Sequence, residues 1–155
     1  MILQALDALQ ASALSRYIAG SNHLVTAFLQ VVHVLGFVLL LASWVLIALR
    51  VYNVVFRHSA LSLIARDAQR LIVVGLSFAT LTGSIMVIGA PMHYFSNPAF
   101  QVKVALIAGA VIVQSGTFAY LGVPSARMAV VRVGVSFSAA LWFGVSMAGR
   151  AIGFV

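Results

Sequence analysis

Little in this chain can do chemistry, and His33 is its centre. It lies in Gln30-Val31-Val32-His33-Val34-Leu35-Gly36, near the start of an apolar run that ends at Arg50. An ionisable ring inside such a run is costly, so it turns toward other helices and marks a functional site. A neutral imidazole can ligate haem iron or a transition metal. The plainer role is a hydrogen bond to a neighbouring helix, with Ser77, Thr80 and Thr82 as available partners. Gly36 follows one turn later on the same face, and its missing side chain would leave room for a flat macrocycle. Gly83 could do the same, with Phe37, Trp44 and Phe78 as walls.

A second ligand has two candidates. His93 falls just past the second apolar run, and with His33 it forms the candidate metal pair. Met86 matches His33 better in depth, and a thioether can complete a haem site. Lys103 and Arg150 stand about one turn inside the same edge. They either snorkel to headgroups or pair with the carboxylates of a bound molecule, such as haem propionates. Asp7 is the one acidic residue on that side, so an anionic lipid or ligand is the natural counter-ion. The cofactor-binding set is therefore His33, His93, Met86, Lys103, Arg150 and Gly36, around haem b, with copper as the alternative.

The other polar residues suggest less. His23 precedes the first run, and His58 reads as a solvated loop residue beside Arg57. Gln114 and Asn53 read as helix-to-helix hydrogen bonders. Met86, Met92, Met128 and Met147 are too scattered for a copper(I) relay. No carboxylate pair lies within a run, so carboxylate acid–base catalysis and carboxylate-driven proton transport are unsupported. There is no Walker loop, no GxGxxG and no HExxH. The absence of cysteine removes disulfides, thiolate metal sites and iron–sulfur clusters.

The elements that must position these residues follow from composition. The 155 residues are 63% hydrophobic and 7% charged, against about 25% charged in soluble domains. That is an integral membrane protein. The net charge of +7 sits at run ends and loops, which points to membrane orientation and not to nucleic acid. The N-terminus lacks a basic segment before its apolar residues, and no removable signal peptide is read there.

Residues 1–22 space Leu3, Leu6, Leu9, Leu14, Tyr17 and Ile18 at helical intervals, with Gln4, Asp7, Gln10 and Arg16 between them. This predicts one interfacial amphipathic helix. Residues 23–155 form a transmembrane domain with spans near 26–50, 71–90, 100–121 and 130–154. Residues 59–69 predict a short interfacial helix, and 92–97 a turn. The loops are short, so the fold class is all-α, an antiparallel four-helix transmembrane bundle. Ala79-xxx-Gly83, Ala105-xxx-Gly109 and Gly149-xxx-Gly153 would permit close helix approach. Arg50, Arg57, Arg66, Arg70, Arg127 and Arg132 fall on one side, against Arg16, Lys103 and Arg150 on the other. The first side is then cytoplasmic and both termini are periplasmic, in a bacterial inner membrane.

Several motifs carry a family resemblance. They are His33-Val34-Leu35-Gly36, Leu49-Arg50-Val51-Tyr52, Leu81-Thr82-Gly83, Asn97-Pro98-Ala99-Phe100-Gln101-Val102-Lys103, Leu141-Trp142-Phe143-Gly144 and Ala148-Gly149-Arg150. From about Leu14 onward they resemble a family of small four-span bacterial membrane proteins of unknown function. More distantly, the first three spans resemble the four-span membrane protoporphyrinogen oxidases of the HemJ type. That family carries an early histidine in span one and a lysine opening span three. The resemblance implies bound haem b, with His33 as an axial ligand, Lys103 as a functional cation and Arg50 matching the arginine that ends span one. The general helix layout is also similar to that of copper-resistance membrane proteins. The expectation is a haem-b redox and electron-transfer module near the periplasmic face, an oxidoreductase if it is an enzyme. Its partners would be membrane lipid, and a membrane quinone or periplasmic redox protein. A homo-oligomer is left open, and nucleic acid is not expected. Alternatives are a cofactor-free bundle serving as a partner subunit or lipid- or small-molecule-binding protein, and a copper-handling protein.

Overall fold

The computed structural model describes residues 1–154, and their side chains except those of residues 2 and 3. The side chain of Leu3 in the amphipathic pattern, and Val155 at the end of the transmembrane domain, thus lie outside what it describes. Seven helices follow in order: α1 (Ile2–Gln10), α2 (Ala13–Ala19), α3 (His23–Val51), α4 (Leu61–Gly89), α5 (Pro91–Ser96), α6 (Pro98–Leu121) and α7 (Met128–Ala151). There is no strand among the described residues. Helices α3, α4, α6 and α7 are long and apolar enough to cross a membrane. The protein is an all-α membrane protein built as a four-helix bundle.

The predicted N-terminal helix is divided in two. Ser12 adopts extended backbone and its hydroxyl accepts from Ser15 N at 3.1 Å, so it ends one helix and caps the next. Ile18 of α2 then packs on Gly89, the last residue of α4. Leu14 and Tyr17 stay exposed, as expected of an interfacial surface. The predicted interfacial helix at 59–69 is also corrected, because it is the first part of α4. Ala65, Ala68 and Ile72 are buried at helical spacing through it, while Arg66, Asp67 and Arg70 project outward. The predicted turn at 92–97 is the short helix α5, started by Pro91 at its first position.

Side-chain caps set two of the long helices. Asn22 accepts from Leu24 N at 3.1 Å to open α3. Asn97 accepts from Ala99 N and Phe100 N, at 2.9 and 3.2 Å, to open α6. The Asn97 amide also donates to Ile152 O at 3.2 Å, tying the start of α6 to the end of α7. Asn53 does not bridge helices as expected. It takes a left-handed φ of 57° just past α3, and its oxygen accepts from Arg50 Nη1 at 2.7 Å.

Lipid supplies no hydrophobic drive between spans, so close packing and interhelical hydrogen bonds hold them together. Both are present. Helix α3 packs along α4, and α6 along α7, and the two pairs meet through α3 and α7. The interior centres on two buried indoles. Trp44 N–H donates to Val135 O at 3.3 Å, and Trp142 N–H donates to Gln114 Oε1 at 2.7 Å. Phe118 of α6 meets Trp44 edge-on, and Phe37 of α3 meets Trp142 edge-on. Gln114 therefore does bridge helices, as its position mid-span suggested. The tightest crossing is Gly36 against Gly75, where each would place a Cβ within 2.8 Å of the other's carbonyl oxygen.

Candidate functional site

Four helices meet at a point near the end of the bundle that carries α1 and α2. Helix α3 supplies His33, α4 supplies Ala79, Thr82 and Gly83 on one face, α6 supplies Lys103, and α7 supplies Gly149. His33 Nδ1 lies 2.8 Å from Ala79 O and 3.3 Å from Thr82 Oγ1. A carbonyl oxygen can only accept, so Nδ1 carries the ring hydrogen. Thr82 spends its own proton on Phe78 O at 2.6 Å, which leaves its oxygen to accept as well. The neutral ring therefore presents a lone pair at Nε2. Lys103 Nζ stands 3.5 Å from that nitrogen.

Two glycines make the meeting possible. The His33 ring lies over Gly83, where a Cβ would sit 3.1 Å from Cε1. The Lys103 stem crosses Gly149, where a Cβ would meet Cδ, Cε and Nζ at 3.8, 3.5 and 3.3 Å. Lysine thus reaches from α6 over α7 to a ring on α3. In chemical terms the pair is an acceptor, Nε2, beside a cationic donor, Nζ, and both are half-buried.

Charge sharpens the picture. The four long helices hold one carboxylate, Asp67, and it pairs with Arg70 at 3.4 Å. Asp67 lies 16 residues before Gly83 on α4, about 24 Å away along the axis. Asp7 is exposed on α1. Among the described residues the ion pair is Arg70–Asp67, and none involves Lys103.

The other expected site residues are placed elsewhere. His93 is exposed on α5, its ring edge-on to Tyr94 at 5.4 Å. Burial pushes the neighbouring Tyr94 phenol up from its ordinary value. Arg150 is exposed, with its guanidinium over the Phe154 ring at 5.0 Å. Met86 falls on the same face of α4 as Ala79, Thr82 and Gly83, one turn nearer the α4 end. Thr82 is the hydroxyl that His33 finds, whereas Ser77 and Thr80 line a groove on the opposite, exposed face of α4 with Leu76, Leu81 and Ser84.

Haem b asks for a ligand and for room. His33 meets the first requirement, because a ring tied at one nitrogen to a carbonyl is oriented to ligate through the other. The room foreseen at the glycines is filled. A Cβ on Gly36 would meet Gly75 O at 2.8 Å and Ala79 N at 3.0 Å, so the α4 backbone occupies that face. Gly83 is covered by His33 itself. Trp44 is buried with its N–H engaged by α7, and Phe78 is half exposed. Gly36 and Gly83 therefore leave no slot for a macrocycle, and no group of three or more His, Cys, Asp or Glu among the described residues could hold a metal ion.

Reading residue types missed two contributors. The Ala79 carbonyl leaves no mark in a sequence. Gly149 appeared as half of a small-residue pair and in the Ala148-Gly149-Arg150 motif, although its role is to let Lys103 pass.

A family model described as a family of unknown function, DUF6644, matches residues 9–155, and the chain belongs to that family. No curated protein and no solved structure matches it. None of these comparisons connects it to the protoporphyrinogen oxidases or to the copper-resistance proteins.

Proposed function

We propose that this DUF6644 member is a membrane-embedded binding subunit for an amphiphile whose acidic head pairs with Lys103. One observation carries the reading: a half-buried ammonium held against an imidazole, in a bundle whose only span carboxylate is at the far end. A charge removed from water without a partner is costly, and in practice such charges are paired. A lipid-soluble anion supplies the missing partner and arrives through the phase that surrounds the helices. In this reading the end bearing His33 and Lys103 faces the periplasm of a bacterial inner membrane, because the arginine-rich end stays cytoplasmic.

The test is binding by the purified protein in neutral detergent, with acidic and zwitterionic amphiphiles of equal chain length. Lys103→Met should weaken the acidic ligand roughly 10- to 100-fold, the equivalent of one charge-assisted hydrogen bond of about 1.5–3 kcal/mol. Zwitterion binding should hardly change. Equal losses for both ligands, or none, would refute the proposal. A Soret band in protein from haem-supplied cells, abolished by His33→Ala, would replace it with the haem-b redox module and its quinone or periplasmic redox partner.

A further inference from the structure

The hydrogen-bond roles at the pair narrow the ligand, granted the acidic-head reading above. Nε2 of His33 is an acceptor, since Nδ1–H is committed to Ala79 O at 2.8 Å. Nζ of Lys103 is a donor. The contact between them is 3.5 Å, longer than the 2.7–3.2 Å typical of a full N–H hydrogen bond, so it is cheap to exchange for better partners. A group that satisfies both must offer an O–H to Nε2 and, beside it, an acceptor oxygen to Nζ.

We infer that the site takes an acid head that keeps one proton: a carboxylic acid, or the monoprotonated phosphate monoester of a lipid, with its O–H directed at His33 Nε2 and its second oxygen at Lys103 Nζ. A phosphodiester headgroup has no such proton and fits Lys103 alone. The balance is simple. An ionised acid and one proton from water enter together, and the proton lies between the acid oxygen and Nε2. No electron moves and no other bond is made or broken. The imidazole can share this proton because the Ala79 carbonyl and Thr82 hydroxyl support its other N–H in either state. Among the described contacts of the ring, Lys103 is the other titratable group. Helix α4 offers Ala79, Thr82 and Gly83, α7 offers Gly149, and α6 offers Lys103.

Binding is therefore coupled to proton uptake, whereas a plain ion pair with Lys103 is not. Calorimetry of the full chain in two buffers of different ionisation heat counts the protons. The probes are decanoate, a short-chain phosphatidic acid and a short-chain phosphatidylmethanol, whose phosphodiester head carries no O–H, each at pH 8. Uptake of about one proton is expected for the first two, with affinity falling about tenfold per pH unit above neutrality. Whichever of the two binds tighter identifies the head as carboxylic acid or phosphate monoester. His33→Gln should reduce the uptake to near zero while Lys103 still holds the anion. Zero uptake in the wild-type protein overturns the inference and leaves the Lys103 reading standing. Equal binding of phosphatidylmethanol also overturns it, as does uptake that persists in His33→Gln, which would assign the proton to Lys103. The wild-type count decides even if His33→Gln does not fold.

Discussion

Replacing Gly75 by Ala should do more damage than its single methyl suggests. The added Cβ would stand 2.5 Å from Gly36 O and 2.9 Å from Leu40 N. Ordinary contact begins at 3.4 Å, so the helices must part by about 0.9 Å (3.4 minus 2.5) at this point. Both obstacles are backbone atoms, and no rotamer can relieve them. Overpacking of this kind costs about 1–3 kcal/mol, and in a bilayer that close packing is much of what holds α3 to α4. The strain also reaches the site. Ala79 is one turn along α4, and a parting of the same size there would stretch its 2.8 Å bond to His33 beyond hydrogen-bond range. Thermal unfolding in detergent should therefore show a midpoint several degrees lower, at about 2–4 °C per kcal/mol for a chain of this size. Nitrogen NMR of the imidazole should show the single Nδ1–H tautomer of the wild type giving way to a mixture. Gly116→Ala is the control, because a Cβ there meets nothing within 4 Å. If both variants unfold at the wild-type midpoint, the glycine crossing is not where the helices touch, and the account of His33's orientation fails with it.

Three further outcomes follow from the interior and from the charge pattern. Trp142→Phe should cost about 1–3 kcal/mol, because it strands the buried Gln114 oxygen that the indole N–H now satisfies; adding Gln114→Leu should recover part of the loss, measured as a non-additive double-mutant cycle. Ser138→Ala should leave stability unchanged or raise it by up to about 1 kcal/mol, since the buried Ser138 hydroxyl has no hydrogen-bond partner among the described residues. A loss of 1 kcal/mol or more would show that the hydroxyl is satisfied after all. Single cysteines at Ser59 and Ser96, probed with an impermeant thiol reagent on intact cells, should label at Ser96 only; labelling at Ser59 alone would invert the proposed orientation.

What could be read from residue types depended on how far apart the cause and its effect lie. The spans were legible because hydropathy is a local sum. The caps are local too, since Asn22 and Asn97 each act within three residues of the helix start they fix. Ser12 carried the same signal, and the apolar periodicity running across it hid the break. Helix α4 was divided because Arg66, Asp67 and Arg70, counted together, set residues 59–69 apart as an interfacial helix. Read at helical spacing, they are the outer face of a helix that buries Ala65, Ala68 and Ile72.

The site was half legible for a deeper reason. His33 and Lys103 stood out because charge and polarity are rare in these runs, and they do meet. What each meets is set by a residue 46 positions away, Ala79 for the ring and Gly149 for the lysine stem. Gly36 shows where inference from type alone goes astray. A missing side chain near a histidine can serve a ligand or a neighbouring backbone equally well, and the letter does not say which. Inside a membrane the second claim is the stronger, because helices attract one another chiefly by approaching closely. At Gly36 the claimant is Gly75, 39 residues on. That leaves Nε2 and Nζ of the half-buried pair short of good partners among the described residues, and so it is their opposite hydrogen-bond roles, not an open space, that specify what the bundle can hold.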